Sequence, residues 1–374
     1  MSIFQLTDCR VRRLDLPAPG FQTARGDLDV RPIGLVQLWL HIDGQPAVGL
    51  GEIAPLEAWA TESIDEAIEA VESVPTNAVP FGIDTITEAF PSIAGTPAAR
   101  FAFETACLDA LGQHRGVSIA ELLHRGDGAP LHAIPVNGSL DLGQPPDAAA
   151  DLVGAGFECV KVKVGADVEE ALERVDSVRA AIPETQLRVD PNAVWTPIEA
   201  ARFLDRVDPE GLDYVEQPVS ADDLDALERL ARTAPVCVAA DESAHPAPRG
   251  RRLIDRAEVP VVVLKPAALG GLLVTRELAE LALERGVRVT FTSALGSALE
   301  RSAVAHLAAA TSAHVGPHGL ATGGIFEEDI TEEPDLVGGG SMLLREGAGL
   351  GLNPRSDIID TVSPDDSSMS RGDR

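Results

Sequence analysis

Lysine is almost missing from this 374-residue chain. It stands only at Lys161, Lys163 and Lys265, so that 27 of the 30 Lys plus Arg are arginine. Basic charge of any kind is outnumbered, with 59 Asp plus Glu giving a formal net charge of −29 and a pI near 4.5. Such a surface repels phosphate backbones and anionic lipid headgroups, which excludes nucleic acid and membranes as expected partners. Long apolar runs are lacking too: none reaches the ~20 residues of a spanning helix. The opening MSIFQLTDCRVRRLD has no apolar core of a secretion signal, so a cytoplasmic location is expected. The four cysteines, Cys9, Cys107, Cys159 and Cys237, show neither CxxC nor metal-finger spacing and read as buried, reduced thiols.

What little lysine there is carries information. Arginine supplies positive charge equally well but cannot release its proton and so cannot act as a base. Lysine kept at three places marks positions that need a removable proton or a compact ammonium. Chance survival is the competing explanation, and placement decides between the two.

From about residue 133 the chain repeats an apolar strand followed by a helical stretch. Candidate strands at 134–140, 158–164, 187–192, 213–219, 236–241, 260–265, 287–292 and 313–318 start 24, 29, 26, 23, 24, 27 and 26 residues apart. Segments such as DVEEALERVDSVRAAI between them space apolar residues by three and four. Eight strands alternating with helices predict a TIM-like parallel α/β barrel over residues 131–330. An open doubly wound sheet competes, but no GxGxxG follows the first strand. Residues 1–130 form an α+β unit, with a hairpin turning at Asp43-Gly44 and helices near 63–74, 98–114 and SIAELLHR. Residues 17–26 read as a lid or an ordinary surface loop. A strand near 341–345 lies in a segment, 331–355, that returns to the first unit, and 356–374 is a polar, disordered tail.

In a barrel of this kind chemistry gathers at the carboxyl ends of the strands. Alternation in ECVKVKV turns Cys159, Lys161 and Lys163 inward and the valines outward. Two inward ammonium groups repel and lose hydration, which predicts lowered pKa values and a base near neutral pH. Strands three, four and five end in Asp190, Glu216 and Asp241, 26 and 25 residues apart. Any single acid is more often plain surface charge, but three on adjacent strands are specific. Gathered at one rim they need a cation, and oxygen-only ligands favour Mg²⁺, with Mn²⁺ as a substitute. Glu242 is a neighbour able to share Asp241's role. Strand six ends in Lys265, opposite Lys163 across the metal. The arrangement suits removal of a proton α to a carboxylate.

With these residues on the page, the chain resembles the enolase superfamily, in its muconate-lactonizing branch with KxK on strand two. A lysine base paired with Mg²⁺ is a known property of that superfamily. The resemblance spans roughly residues 1–350 and implies a (β/α)7β barrel under an α+β capping domain built from the N-terminal region and a C-terminal segment. PAARFAFETACLDALGQHRGVSIAELL is similar to the cap's helix pair. GEIAPLEAW, LRVDPNAVW, FTSALGSALE and GLATGGIFEEDI resemble segments of the o-succinylbenzoate synthase family. That resemblance implies a small carboxylate substrate, dehydrated in menaquinone biosynthesis. It also implies Lys163 as base, Lys265 as stabilising ammonium, Lys161 as tuning group, and Arg188 and Ser293 on the substrate side. Ser293 reads equally well as a helix cap, and His318 as a structural hydrogen-bonding group. The acidic, lysine-poor surface resembles proteins of salt-loving microbes.

Rivals share the site. N-succinylamino acid racemases would use both lysines directly, and muconate cycloisomerases the same constellation. A dipeptide epimerase is expected to carry Asp-x-Asp after strand eight, where this chain has GLATGGIF. A Schiff-base aldolase leaves three rim acids idle, and a catalytically silent metal-bound barrel leaves the lysines unexplained. Oligomeric state stays open.

Overall fold

Residues 2–23, 26–59, 61–76, 80–311 and 316–359 are described by a computed structural model of the chain. The N-terminal third builds an antiparallel sheet of β1 (Phe4–Thr23), β2 (Gly26–Ile42) and β3 (Gln45–Ile53). Asp43 and Gly44, at φ of 51° and 83°, make the expected two-residue turn between β2 and β3. Helix Pro97–Arg115 lies on this sheet so closely that a Cβ at Gly49 or Gly51 would meet the Ala106 or Ala102 carbonyl oxygen at 1.9 Å. Helices Ile64–Glu72 and Ile119–Leu123 start in capping boxes, Ser63 with Glu66 and Ser118 with Glu121.

The segment at 17–26 is no separate loop. It continues the β1–β2 hairpin past a register break between Pro17 and Phe21, and residues 24 and 25 lie outside the described residues. Pairing across the hairpin overrides the proline and glycine that suggested a loop.

Seven parallel strands follow in strict order: β5 (Gly138–Leu140), β6 (Cys159–Lys163), β7 (Gln186–Asp190), β8 (Leu212–Glu216), β9 (Val238–Ala240), β10 (Val261–Leu264) and β11 (Arg288–Phe291). The ring closes through two parallel bridges, Val136 to His318 and Thr292 to Gly319. Of the eighth strand expected at 313–318, residues 312–315 lie outside the described residues and the bridge at His318 marks its end. The first expected strand splits. Its beginning, β4 (Ala133–Pro135), pairs instead with β13 (Ser341–Leu343), which also pairs with β12 (Val337–Gly338). Beyond β13 the chain meets the first unit at Gly349 and Leu350: Ile119 N–H donates to the Gly349 carbonyl at 2.9 Å, and Leu350 N–H to Asp109 at 2.9 Å. Residues 360–374 are outside the described residues.

Outward valines and leucines of the strands pack with the helices in one continuous apolar layer. Burial of this layer is the dominant favourable contribution to folding. The thiols correct one expectation. Cys107 and Cys159 are buried and free, but Cys9 is half-buried and Cys237 exposed, because Cys237 falls just before β9 begins.

Candidate active site

β6, β7 and β8 end in Lys163, Asp190 and Glu216, and Asp241 and Lys265 stand one residue past β9 and β10, so the order of the strands brings them together. Lys161 stands beside Arg188, and Lys163 beside Asp190, in the β6–β7 pairing. Val160 and Val162 point out to the helix layer as alternation predicts. Lys161, Lys163, Asp190, Glu216, Asp241, Lys265 and Ser293 all line one cavity of about 370 Å³ at the carboxyl ends of the strands. That volume lies within the ~300–1,000 Å³ usual for small-molecule sites. Leu56 and Trp59 of the first unit form part of its wall.

Lysines and acids are paired. Lys161 Nζ donates to Asp190 Oδ2 at 2.9 Å and to Glu216 Oε1 at 3.0 Å. Burial opposes its charge, but Asp190 and Glu216 outweigh that and push its pKa well above the ordinary lysine value. The sequence-based expectation of a lowered pKa is therefore reversed for Lys161, because carboxylates rather than Lys163 dominate its surroundings. Among the described residues, Lys163 Nζ donates to an amide oxygen, Asn192 Oδ1, at 3.4 Å. Lys265 hydrogen-bonds Asp241 Oδ1, and its Nζ lies 4.9 Å from the centre of the Trp59 ring. Burial disfavours the Asp241 carboxylate, yet Lys265 and His245 hold its pKa below the usual carboxylate range.

The acids were expected to form a ligand set. Among the described residues, no three His, Cys, Asp or Glu side chains are arranged to hold a metal ion as they stand. Asp190 and Glu216 turn to Lys161, and Asp241 to Lys265. The donor chemistry nevertheless fits a divalent ion. Burial, with Asp190 and Asp241 nearby, lifts the Glu216 pKa to about 7. Glu242 is 5% exposed, neither of its carboxyl oxygens has a hydrogen-bond partner, and burial with Asp241 and Asp190 lifts it to about 8. Four acids against two directly paired ammonium groups leave up to two negative charges for a hard cation to neutralise.

Arg188 does not meet the expectation of a substrate contact. It is 1% exposed and absent from the cavity wall. It is bonded to Asp213 (2.9 Å), Asn137 (3.0 Å) and the Pro317 carbonyl (2.7 Å), and its guanidinium lies over the Tyr214 ring. Inward alternation placed it correctly but said nothing of depth, and it serves as a strut beneath the site. Ser293 reaches the wall, its hydroxyl 3.0 Å from that of Thr322, whereas the cap of helix Ala298–Ala310 is Ser297. His318 is structural: its Nδ1 accepts from Phe291 N–H at 3.1 Å, and burial lowers its pKa to about 3.

Sequence reasoning missed Asn192, Gln217, Asp141 and Trp59. Asn192 contacts both Lys163 and Asp190, and Asp141 lines the cavity. A signal was present for the first: PNA follows Asp190 directly, where a residue at positive φ is favoured to be Asn, and Asn192 stands at φ 51°. Asp141 lies on a loop and Trp59 ends a single 3₁₀ turn, Glu57–Trp59, with no periodicity to mark them.

Known proteins agree with this architecture. Residues 146–358 match the Enolase C-terminal domain-like family. An o-succinylbenzoate synthase of Thermosynechococcus vestitus is 33% identical over 273 residues, covering 71% of this chain and 78% of that one. Muconate cycloisomerase 1 of Rhodococcus opacus is 29% identical over 334 residues, covering 85% and 87%. The crystal structure of a dipeptide epimerase from Enterococcus faecalis, complexed with Mg and the dipeptide L-Leu-L-Tyr, superposes with a TM-score of 0.83 at 25% identity, covering 93% of this chain and 99% of that one. With its barrel, capping unit and rim constellation, the chain belongs to the enolase superfamily, in the branch that holds the muconate cycloisomerases and o-succinylbenzoate synthases.

Proposed function

We propose that the chain is a cytoplasmic o-succinylbenzoate synthase acting in menaquinone biosynthesis. The substrate would be 2-succinyl-6-hydroxy-2,4-cyclohexadiene-1-carboxylate, converted to o-succinylbenzoate and water. One observation carries the reading: Lys163 and Lys265, on strands four apart in the barrel, open on the same cavity as Asp190, Glu216 and Asp241. Asp190, Glu216 and Asp241 would hold Mg²⁺ (or Mn²⁺), with Glu242 behind them. Mg²⁺, when bound, supplies positive charge against the substrate carboxylate and so acidifies the α-carbon.

Lys163 is the base. Among the described residues its Nζ donates to the Asn192 amide oxygen at 3.4 Å, whereas Lys161 and Lys265 each donate to a carboxylate. It takes the proton from C1, whose electron pair passes into the carboxylate as an enediolate; this collapses to the ring C1–C6 double bond as the C6–O bond breaks, and the same Nζ returns the proton to the departing hydroxyl as water. Lys265, hydrogen-bonded to Asp241, faces the enediolate from the other side. Lys161 keeps Asp190 and Glu216 in place and carries positive charge toward the substrate carboxylate. The dehydratase reading is further supported by the wall after β11. Ala321, Thr322, Gly324 and Ile325 line the cavity there without an acid to hold a peptide amine.

A second reading is proton transfer on an N-acylamino acid or dipeptide, with Lys163 and Lys265 as the two bases. Asp141 favours it, since this carboxyl lines the cavity close enough for Lys163 and Lys161 to act on it and could receive an amine. The test is an assay with MgCl₂. Purified protein is expected to form o-succinylbenzoate, EDTA to stop it, and Lys163→Ala to lower kcat by about 10²–10⁴-fold. Turnover by that variant at the wild-type rate removes Lys163 as base. Solvent-deuterium exchange into N-succinylamino acids or dipeptides, with no dehydration, replaces the first reading by the second.

A further inference from the structure

Gln217 follows Glu216 directly, is fully buried, and does not line the cavity. Its backbone stands at φ 35°, a region that a side chain bearing a Cβ rarely adopts without compensation. The compensation is visible. Its Oε1 accepts from the backbone N–H of Asp241 and of Ser243, both at 3.0 Å, while Nε2 donates to the Val219 carbonyl and the Ser243 hydroxyl, both at 2.8 Å. An amide side chain has two donors and an acceptor oxygen with two lone pairs, and here every one is used. Its own N–H donates to Ala239, and its carbonyl accepts from Ala193 N–H, each at 2.8 Å. One residue thus joins the ends of β7, β8 and β9, the three strands that deliver Asp190, Glu216 and Asp241.

From this we infer that Gln217 is a positioning residue that sets the spacing of Glu216 and Asp241, and thereby the affinity of the site for a divalent cation, without touching cation or substrate. The inference rests on the reading of those acids as ligands. A core amide with only a packing role would have no reason to bond the backbone N–H of Asp241, the group that fixes where that carboxyl side chain starts. Neighbouring rim residues share the backbone strain: Asn192 and Ala193, just past Asp190, stand at φ 51° and 64°. Such conformations persist where surrounding bonds over-determine them.

The experiment is a calorimetric titration of the full chain with MgCl₂, comparing wild type, Gln217→Leu and Val175→Ala. The last removes apolar volume from a barrel helix remote from the rim and controls for lost stability. Affinity is expected to fall about 10–100-fold in Gln217→Leu, as when other groups that orient ligands are removed, and to hold in Val175→Ala. If Gln217→Leu does not fold, Gln217→Asn keeps the amide but withdraws its oxygen by one methylene from both N–H groups and is expected to lose about tenfold in affinity. Wild-type Mg²⁺ affinity there, with the fold intact, overturns the inference, as does equal Mg²⁺ affinity in wild type and Gln217→Leu. Absence of Mg²⁺ binding by the wild type overturns the ligand reading itself, so the two failures are told apart.

Discussion

Lys265 and Asp241 are 5% and 2% exposed, and each is the other's nearest counter-charge. Removing one member of a buried ion pair leaves the other uncompensated and costs about 3–5 kcal/mol, far more than the 0–1 kcal/mol of a surface pair. Lys265→Ala is therefore expected to lower the unfolding free energy by about 3 kcal/mol in EDTA, measured by urea denaturation. Saturating MgCl₂ should recover part of that loss if Asp241 takes a cation. A variant as stable as wild type in EDTA would mean that Asp241 simply protonates. This pair was readable in the sequence because lysine is scarce enough for each one to stand out. Gln217 was not, since its amide acquires its role from bonds to the backbone N–H groups of Asp241 and Ser243, and Asn192 was marked only by the positive-φ position that follows Asp190. Arg188 shows the opposite failure. Its facing was legible, but the layer of the barrel it occupies depends on Asp213, Asn137 and Pro317, none of them close in sequence.

Secondary-structure elements of the cap grip the barrel by inserting acids at helix starts. Glu52 of β3 accepts from Ser297 N–H at 2.8 Å at the head of helix Ala298–Ala310. Glu104 of helix Pro97–Arg115 accepts from Leu273 N–H at 3.0 Å at the head of Leu272–Glu284. Burial lifts both pKa values to about 7. A folded pKa above the unfolded value of ~4.3 means the folded state keeps a proton the unfolded chain has released. Stability from these groups is thus greatest below pH ~4.3, declines as pH rises toward 7, and is flat beyond. Thermal unfolding is expected to show a shallower decline between pH 5 and 7.5 in Glu104→Gln than in wild type; parallel curves would show that Glu104 is ionised throughout. These contacts were invisible beforehand, being long-range. The local signals, the Asp43-Gly44 turn and the Ser-x-x-Glu start of SIAELLHR, were legible because residue type at fixed offsets determines them. The first barrel strand was read too long because β4's partner, β13, lies some two hundred residues away.

At the scale of the whole molecule, −29 of net charge sits on a surface that also carries arginine–carboxylate pairs such as Arg206 with Glu169 and Arg285 with Asp255. Salt weakens both the general repulsion and these pairs as the Debye length shrinks from ~10 Å at 0.1 M to ~3 Å at 1 M. Exposed pairs contribute at most about 1 kcal/mol each, whereas 59 acids repel with only 30 bases to offset them. Repulsion wins on that comparison, so raising KCl from 0.1 to 1 M should raise the unfolding temperature measured by differential scanning. A fall would show that the ion pairs dominate. The closure of the ring has an effect on the chain's future rather than its present. Seven staves are laced by parallel ladders, and among the described residues the ring is closed by bridges at His318 and Gly319. Ala321, Thr322, Gly324 and Ile325, which follow those bridges, line the cavity from outside every named strand and can be exchanged without unpicking a ladder. Selection for a new substrate has its freest hand there, on a wall that the fold barely uses.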